Sequence, residues 1–216
     1  MEPINDLVFK KTLQKVEGET DLFNEAAKHI VLPSPAPNDS LEMGKDLMVI
    51  QGATYLRNKN LEKSIRKHDK DPAYAIKAYL TLFGLEYDEK FIEKVLKQSS
   101  VLALGQKNKY NKPRPKQLAP YFGIKFSVLG SKTNKTPSYP SGHSTQSHLV
   151  AEIYSEKYPE HRTNLLKASE ECGMGRVSAG FHTPADHKAG VLLAKRLFKS
   201  LKGKKDPTDY SRVINF

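Results

Sequence analysis

Apolar residues recur at helical spacing along most of the chain, whereas the strict alternation typical of β-strands is nearly absent. The stretch from Asp39 to Asn58 follows a proline-rich loop that cannot continue a helix. Its apolar residues fall roughly three or four positions apart at Leu41, Leu47, Ile50, Ala53 and Leu56. A helix is therefore predicted over 39–58.

Two further helices are predicted before the middle of the chain. One covers 72–83 and stops at Gly84, and the other runs from Asp88 to about Leu104, which would place Lys107 just past its end. The stretch from 105 to 140 is rich in Lys, Asn, Pro and Gly, so it is predicted to be mostly loop.

The last third of the chain predicts three more helices, over 141–158, over 162 to about 179, and after His182. Thr183 fits the N-cap of the last helix, with Pro184 at its first position and Asp186 three residues after the cap. The apolar face of this helix would use Leu193, Leu197 and Leu201.

These elements predict an all-α, single-domain helical bundle whose chemistry sits at helix ends and in loops. The domain would span 32–202, with an N-terminal helical extension over 1–31 and a polar C-terminal tail over 203–216. The length of 216 residues fits one domain of this kind.

Charge favours anionic partners, because 35 Lys and Arg against 24 Asp and Glu give a net charge of +11. The net charge alone does not distinguish between nucleic acid, phospholipid surfaces and small phosphate esters as partners. Cys172 is the one cysteine of the sequence, which excludes an intrachain disulfide and a cysteine-rich metal site. It is interpreted as a small buried filler.

The first residues lack the apolar core of a secretory signal, and no stretch approaches the ~20 apolar residues that a bilayer span needs. The expectation is a soluble, cytoplasmic protein without a membrane span.

Three short segments carry the candidate chemistry, and they read KNKYNKPRP at 107–115, PSGH at 140–143 and RVSAGFHTPAD at 176–186. Together they contain three cations suited to phosphate, two histidines, a serine beside a glycine, and a carboxylate four residues after the second histidine. Such a set suits a site that holds a tetrahedral oxyanion while a histidine attacks it.

The cations and the helix start would hold the anion. Lys107 offers a compact charge, while Arg114 and Arg176 offer planar forks for two oxygens. Ser141 and Gly142 open a predicted helix, where backbone N–H groups are free to point at an anion.

The histidines can divide the remaining work, since one imidazole attacks phosphorus and the other gives a proton to the leaving oxygen. Asp186 lies one helical turn after His182 and can orient its ring. Taken singly, these features have ordinary explanations: Asp186 fits a capping box with Thr183, and Ser141 fits a plain cap. The other histidines, with His187 excluded least firmly, are interpreted as structural or exposed.

The combination resembles the type 2 phosphatidic acid phosphatase (PAP2) superfamily, which includes bacterial class A acid phosphatases and vanadium haloperoxidases. Its pattern is K-x6-RP, then PSGH, then SR-x5-H-x3-D, and the spacings here match it throughout. One departure is Gly175, which stands where the family has serine. The segments LPSPAPNDS at 32–40 and SYPSGHS at 138–144 resemble the acid phosphatase branch, so the similarity covers roughly 32–199.

The resemblance implies a role for each matching residue. His182 would be the nucleophile that forms a phosphohistidine, Asp186 would orient it, and His143 would protonate the leaving alcohol and later activate water. The phosphoryl oxygens would be bound by Lys107, Arg114, Ser141, Gly142 and Arg176. No metal or other cofactor is implied, and vanadate is expected as an inhibitor that mimics the transition state.

The predicted function is that of a soluble, metal-independent acid phosphatase that hydrolyses small phosphate monoesters, nucleotides included. An acidic to near-neutral optimum is expected, because His143 would have to start protonated. Relatives suggest a homo-oligomer, and no stable nucleic acid complex is expected. Tyr139 could stack on an aromatic leaving group, although packing is its more ordinary role.

Several alternatives stay open at this point. A vanadium-dependent haloperoxidase would use the same pocket, and a lipid phosphate phosphatase is disfavoured by the missing membrane helices. From another class, a non-catalytic basic module would bind nucleic acid or an acidic partner. Monoester against diphosphate substrates, and transfer against hydrolysis, are not distinguished by the sequence.

Overall fold

The computed structural model describes residues 2–9, 13–131 and 133–202, which are helical without any strand. The all-α prediction is confirmed. The described α-helices are α1 (Leu41–Tyr55), α2 (Lys59–Lys70), α3 (Tyr74–Leu82), α4 (Glu89–Tyr110), α5 (Pro115–Leu118), α6 (Gly142–Lys157), α7 (Arg162–Ser178) and α8 (Pro184–Lys202).

Helix α6 forms the centre of the bundle and packs against α4, α7 and α8. Every residue from Ser147 to Ser155 is buried, so buried positions occur on all sides of this part of the helix. Because α6 is covered on several faces, it has no single apolar stripe. Its position inside the bundle fixes the helix start, which carries the PSGH segment.

Helix α8 buries the predicted apolar face at Leu193, Leu197 and Leu201, which confirms that prediction. It crosses the start of α6 very closely at Gly190. A Cβ atom at this glycine would lie 2.6 Å from the carbonyl oxygen of Ser141, so no side chain fits there. This approach brings the beginning of α8 against the beginning of α6.

Helix α1 lies within the predicted range, but its apolar residues divide differently from the prediction. Leu47 and Ile50 are fully buried in a second core cluster, whereas Leu41 and Leu56 are 70% and 75% exposed. Leu41 and Leu56, at the two ends of the series, therefore follow the apolar spacing but are not part of the core. Ser40 caps the helix by accepting a hydrogen bond from the Met43 N–H group.

Two elements differ from the sequence prediction. Helix α2 was not predicted, because its buried residues are limited to Ile65 and His68 and the rest of its surface is polar. Helix α4 continues past its predicted end near Leu104 and stops where Asn111 takes a left-handed conformation with φ 41°. Lys107 therefore lies in the last turn of α4 and not beyond it.

The described part of residues 1–31 contains two 3-10 helices, Ile4–Asp6 and Glu25–His29, and no α-helix. Leu22, Phe23 and Ala27 pack into the main core, so this segment adheres to the bundle. The predicted tail over 203–216 lies outside the described residues. Within the described part of the chain, none of the helices combines the length and apolar character that crossing a bilayer requires.

Candidate active site

The three chemical segments converge at one end of the bundle, around a cavity of about 410 Å³. The end of α4, the loop before α5, the start of α6 and the loop before α8 all contribute to its wall. Five of the predicted site residues line it, namely Lys107, Arg114, Gly142, His143 and His182. Arg176 and Asp186 lie behind this wall, in direct contact with its residues.

His182 is held between a carboxylate and a guanidinium group. Its Nδ1 lies 3.5 Å from Oδ2 of Asp186, and its Nε2 lies 3.0 Å from Nη1 of Arg114. Because a guanidinium group can only donate, Nε2 holds the lone pair and Nδ1 carries the proton. Burial and the neighbouring Arg114 charge lower the pKa of His182 well below its ordinary value. The ring is thus neutral, and Nε2 is the nitrogen that carries the lone pair.

Asp186 combines both roles considered from the sequence. Its Oδ2 accepts hydrogen bonds from Ser138 Oγ at 2.6 Å and from the Thr183 N–H at 2.9 Å, while its own N–H donates to Thr183 Oγ1 at 3.1 Å. The predicted capping box is confirmed. Burial raises the pKa of Asp186, but contact with His182, the Lys112 charge and the Ser138 hydrogen bond together lower it overall, so the carboxyl stays ionised.

The three predicted cations are buried, since Lys107, Arg114 and Arg176 are 6%, 7% and 1% exposed. Lys107 Nζ donates to the carbonyl oxygen of Pro137 at 2.6 Å, and Arg114 Nη1 donates to that of Phe181 at 2.8 Å. Burial lowers the pKa of each cation, that of Arg114 to about 9, and the charges of Arg114 and Arg176 further lower the pKa of Lys107. A bound anion would offset both the burial of these charges and the repulsion between them.

Arg176 is fixed from one side and keeps a donor unused. Its Nη1 donates to Asp69 Oδ1 at 2.6 Å and its Nη2 to Thr133 Oγ1 at 2.7 Å. The Nε atom is buried without a hydrogen-bond partner. The guanidinium carbon lies 4.4 Å from the centre of the Phe181 ring, which supports it from another side.

His143 stands beside the same carboxylate, with Nε2 4.0 Å from Asp69 Oδ1 and 3.5 Å from the Asp69 carbonyl oxygen. Burial, and then the charge of Arg176, lower the pKa of His143 to about 3. The structure therefore does not support the expectation that His143 starts protonated in the protein without a ligand.

The start of α6 differs from the prediction at Ser141. Its backbone N–H donates to the carbonyl oxygen of Asp186 at 2.9 Å, so this group is not free for an anion. Its side chain is buried and accepts the Ser144 N–H as a helix cap. Gly142 lines the cavity. A Cβ atom there would lie 3.8 Å from Lys107 Cε, which is an ordinary contact, so packing does not require glycine at this position.

Asp69, at the end of α2, is the site residue that sequence reasoning missed. Its carboxylate accepts hydrogen bonds from Ser131 Oγ at 2.8 Å and Thr133 Oγ1 at 2.6 Å besides that from Arg176. Burial raises the pKa of Asp69, but these bonds and the Arg176 charge lower it overall. In the sequence it is one acid among the interleaved charges of an unrecognised helix, so no signal distinguished it.

Replacing Asp69 with asparagine is expected to lower kcat by roughly 10- to 100-fold, because a small displacement of site groups has effects of this size. Arg176 and His143 would both lose the charge that fixes them. Steady-state phosphate release with a simple phosphate ester measures this effect. Glu62→Gln, an acid of the same helix that pairs with Arg57, is the matched control. Equal kinetics for Asp69→Asn and wild type would show that the Asp69 charge does not contribute to turnover.

The cavity extends beyond the phosphate end along α4, where it is lined by Ser100, Ala103 and Leu104. Tyr139 does not line it. Its hydroxyl donates to the Pro33 carbonyl oxygen at 2.6 Å, and its ring packs edge-on against Tyr110. Packing is therefore the role of Tyr139, and the part of the cavity beyond the cations lies along α4.

Gly175, which replaces the family serine, lies inside α7 and faces α2. A Cβ atom there would lie 3.4 Å from Cγ1 of Ile65, at the lower limit of an ordinary contact. Cys172 lies one turn earlier in the same helix and is buried, and burial raises the pKa of its thiol to about 12. This confirms its interpretation as a filler.

The model of the PAP2 superfamily matches residues 93–200, which include all three chemical segments and half of the chain. The chain belongs to this superfamily, and the resemblance drawn from the motifs is confirmed at that level.

Individual relatives agree with this assignment. A non-specific acid phosphatase of Providencia stuartii is 26% identical over 203 residues, covering 89% of this chain and 79% of that protein. An acid phosphatase of Zymomonas mobilis is 29% identical over 141 residues, covering 63% and 52%. The crystal structure of a transmembrane PAP2 type phosphatidylglycerolphosphate phosphatase from Bacillus subtilis matches with TM-score 0.53 at 19% identity, over 76% and 87% of the two chains. At this low identity, the similarity to the Bacillus subtilis structure shows a shared fold and nothing about activity.

Proposed function

We propose that this protein is a phosphatase that hydrolyses small phosphate monoesters through a phosphohistidine on His182. One observation carries the proposal: Arg114 donates to Nε2 of a neutral histidine, and the buried cations Lys107 and Arg176 are near enough to Arg114 for the two arginine charges to lower the pKa of Lys107. Family membership and the names of the acid phosphatase relatives support the phosphatase class.

Substrate binding would rearrange one contact. Arg114 Nη1 now donates to His182 Nε2, and a phosphoryl oxygen is a stronger acceptor for it. When Arg114 turns to that oxygen, the lone pair of His182 is released towards phosphorus. Lys107 and the unused Nε of Arg176 supply further donors for the anion. Binding and activation of the nucleophile are thereby coupled.

Two displacements at phosphorus complete the reaction. First, His143 takes up the proton of the ester monoanion. Nε2 of His182 then forms a bond to phosphorus while the ester P–O bond breaks, and His143 passes this proton to the leaving oxygen. Asp186 stabilises the positive charge that develops on His182. Next, a water attacks the phosphohistidine, neutral His143 takes a proton from that water, and the P–N bond breaks. Phosphate takes up the proton from His143 and leaves as the monoanion, and both histidines return to their neutral starting states.

The pH dependence follows from the neutral state of His143. Its lowered pKa, about 3, means that it holds no proton of its own above roughly pH 4 in the empty site. An ester monoanion can deliver the missing proton, and its second ionisation lies near pH 6. We expect kcat/KM to fall as pH rises above about 6, by roughly tenfold per pH unit.

The measurement is a pH profile of kcat/KM from about pH 4 to 9 with two esters of different second ionisation. The falling limb should move with the ester, because the ester carries the proton. A limb that stays fixed for both esters would assign the proton to the protein, and a rate that climbs into the alkaline range would contradict the proton route.

The substrate is proposed to be a small ester, because the cavity of about 410 Å³ can enclose a phosphoryl group with a modest organic part. Lys70 and Lys135 at its rim would favour additional anionic groups, as in nucleotides. A panel of phosphomonoesters, nucleotides and diphosphates, assayed with and without vanadate, tests this class directly. Homo-oligomer formation and vanadate inhibition stay predictions.

A further inference from the structure

A row of four cations lies along the solvent side of α2, about one helical turn apart. Lys59, Lys63, Arg66 and Lys70 are spaced by four, three and four residues, so they share one face of the helix. All four are exposed, and the buried residues of α2 lie on its other side. We call these four residues the α2 stripe, which is about 16 Å long at 1.5 Å per residue.

The α2 stripe lines a groove of about 390 Å³ that leads to the proposed active site. Glu62 and Lys67 complete the lining of this groove. Lys70 lines both the groove and the catalytic cavity, and its neighbour Asp69 lines the cavity as well. The stripe therefore begins at the rim of the cavity and continues away from it along α2.

The negative charges of α2 and its C-cap are already paired with cations outside the stripe. The pairs are Glu62–Arg57, Asp69–Arg176 and Asp71–Lys77. By contrast, none of the four stripe cations has an ion pair with a described residue. Like charges three and four residues apart destabilise a helix, so the stripe carries a cost that an anionic ligand would offset.

The lining of the groove favours a ligand that consists of linked phosphates. Single-stranded nucleic acid is usually bound with aromatic side chains that stack on its bases, and none of the residues that line the groove is aromatic. The same lining offers no apolar side chain for insertion into a lipid surface. Linear polyphosphate has neither bases nor acyl chains, and a row of positive charges suffices to bind it.

We propose that the α2 stripe binds a linear polyphosphate chain whose terminal phosphate lies in the catalytic cavity. The inference rests on the proposed function, in which His182 attacks phosphorus, and it adds phosphoanhydrides to the substrates. The terminal phosphoryl group would be bound by Lys107 and Arg114. The following phosphates would pass Lys70 at the rim and continue along the rest of the stripe.

Attack on an anhydride needs little help from a proton donor. Nε2 of His182 forms a bond to the terminal phosphorus while the bridging P–O bond breaks, and the bridging oxygen leaves with the electron pair on the shortened chain. A phosphate oxygen is a weak base, so it can leave without a proton. Burial lowers the pKa of His143 to about 3, and its neutral form suits this step. Water then hydrolyses the phosphohistidine, so that each turnover consumes one water and releases one phosphate.

Phosphate release from polyphosphates of different length tests the proposal in the full-length protein. At low salt, wild type should hydrolyse a chain of about ten phosphates with kcat/KM per chain about tenfold above that for tripolyphosphate. The longer chain can follow the stripe, whereas tripolyphosphate reaches little beyond the cavity. The advantage of the long chain should disappear at about 1 M salt, where exposed charges are screened beyond about 3 Å.

A triple variant that combines Lys59→Gln, Lys63→Gln and Arg66→Gln should lose this long-chain advantage. None of these three residues lines the catalytic cavity, so turnover of tripolyphosphate and of p-nitrophenyl phosphate should not change. Unchanged ester turnover also shows that the variant is folded. If the long chain keeps its advantage in this variant, the proposal is overturned.

A second triple variant controls for the loss of positive charge itself. Lys188→Gln, Lys195→Gln and Lys199→Gln remove three exposed cations from one face of α8, and none of these residues lines the cavity or the groove. The long-chain advantage should persist in this variant. Equal losses in the two triple variants would assign the effect to net charge and overturn the α2 stripe as a binding surface.

The inference and the proposed function can fail separately. Ester hydrolysis without any dependence on chain length would overturn the inference alone, as would stripe-dependent binding of oligonucleotides or anionic vesicles but not of polyphosphate. If p-nitrophenyl phosphate is not hydrolysed at all, the proposed function falls, and calorimetric binding of the ten-phosphate chain decides whether the stripe binds polyphosphate. Binding about tenfold weaker in the α2 variant than in the α8 variant would support the stripe, and equal binding would overturn it.

Discussion

Substitution of His182 by alanine is expected to abolish phosphate release, with a loss in kcat on the order of 10⁴-fold or more. The variant lacks the nitrogen that would form the bond to phosphorus, and water has no comparable position in the cavity. Arg114 loses one acceptor but keeps the Phe181 carbonyl oxygen, so the cation cluster persists. Phosphate release from a simple ester, followed over hours at high enzyme concentration, measures the residual rate.

Two controls separate loss of chemistry from loss of structure. The variant should keep its helical circular dichroism and should bind inorganic phosphate within about tenfold of wild type, because the three cations remain. His29→Ala, at an exposed histidine far from the motif segments in sequence, should retain full turnover. Retention of most activity in His182→Ala would end the proposed mechanism.

Loss of His143 is expected to cost 10²–10⁴-fold for an alkyl phosphate, the ordinary range for a general acid. The cost should depend on the leaving group, since a good leaving group needs little protonation. With p-nitrophenyl phosphate, His143→Ala should keep the first step fast and be limited by hydrolysis of the phosphohistidine. Pre-steady-state release of p-nitrophenol should then show a burst of about one equivalent per site.

The comparison of the two esters is an internal control for misfolding, because a damaged site would affect both alike. Equal losses for both esters, without a burst, would contradict the role of His143 as proton donor.

Much of the fold could be predicted, because apolar spacing or capping residues mark most of the helices in the sequence. The last helix is the clearest case, where Thr183, Pro184 and Asp186 marked its start and three leucines marked its buried face. Helix α2 gave no such signal, since its few buried positions stand among charges. Its packing against α7 depends on tertiary contacts that single-sequence patterns do not contain.

The sequence predicted several of the residues that line the cavity, but neither their protonation states nor their hydrogen bonds. The motif spacing brought Lys107, Arg114 and His182 to one cavity as expected. It could not show that Asp69 holds Arg176, or that the Ser141 N–H is already bonded. These details arise from contacts between distant elements, and they bear on the proposed chemistry, because burial lowers the pKa of His143, the proposed proton donor.

The central claim is a covalent bond between His182 and phosphorus, and rapid quenching with a labelled ester tests it most directly. His143→Ala with p-nitrophenyl phosphate should accumulate the intermediate. Protein quenched in alkali should carry about one phosphoryl group per site, labile to acid, on the peptide that contains His182. Label on another residue, or a protein that turns over the ester in this assay without ever becoming labelled, would contradict the account.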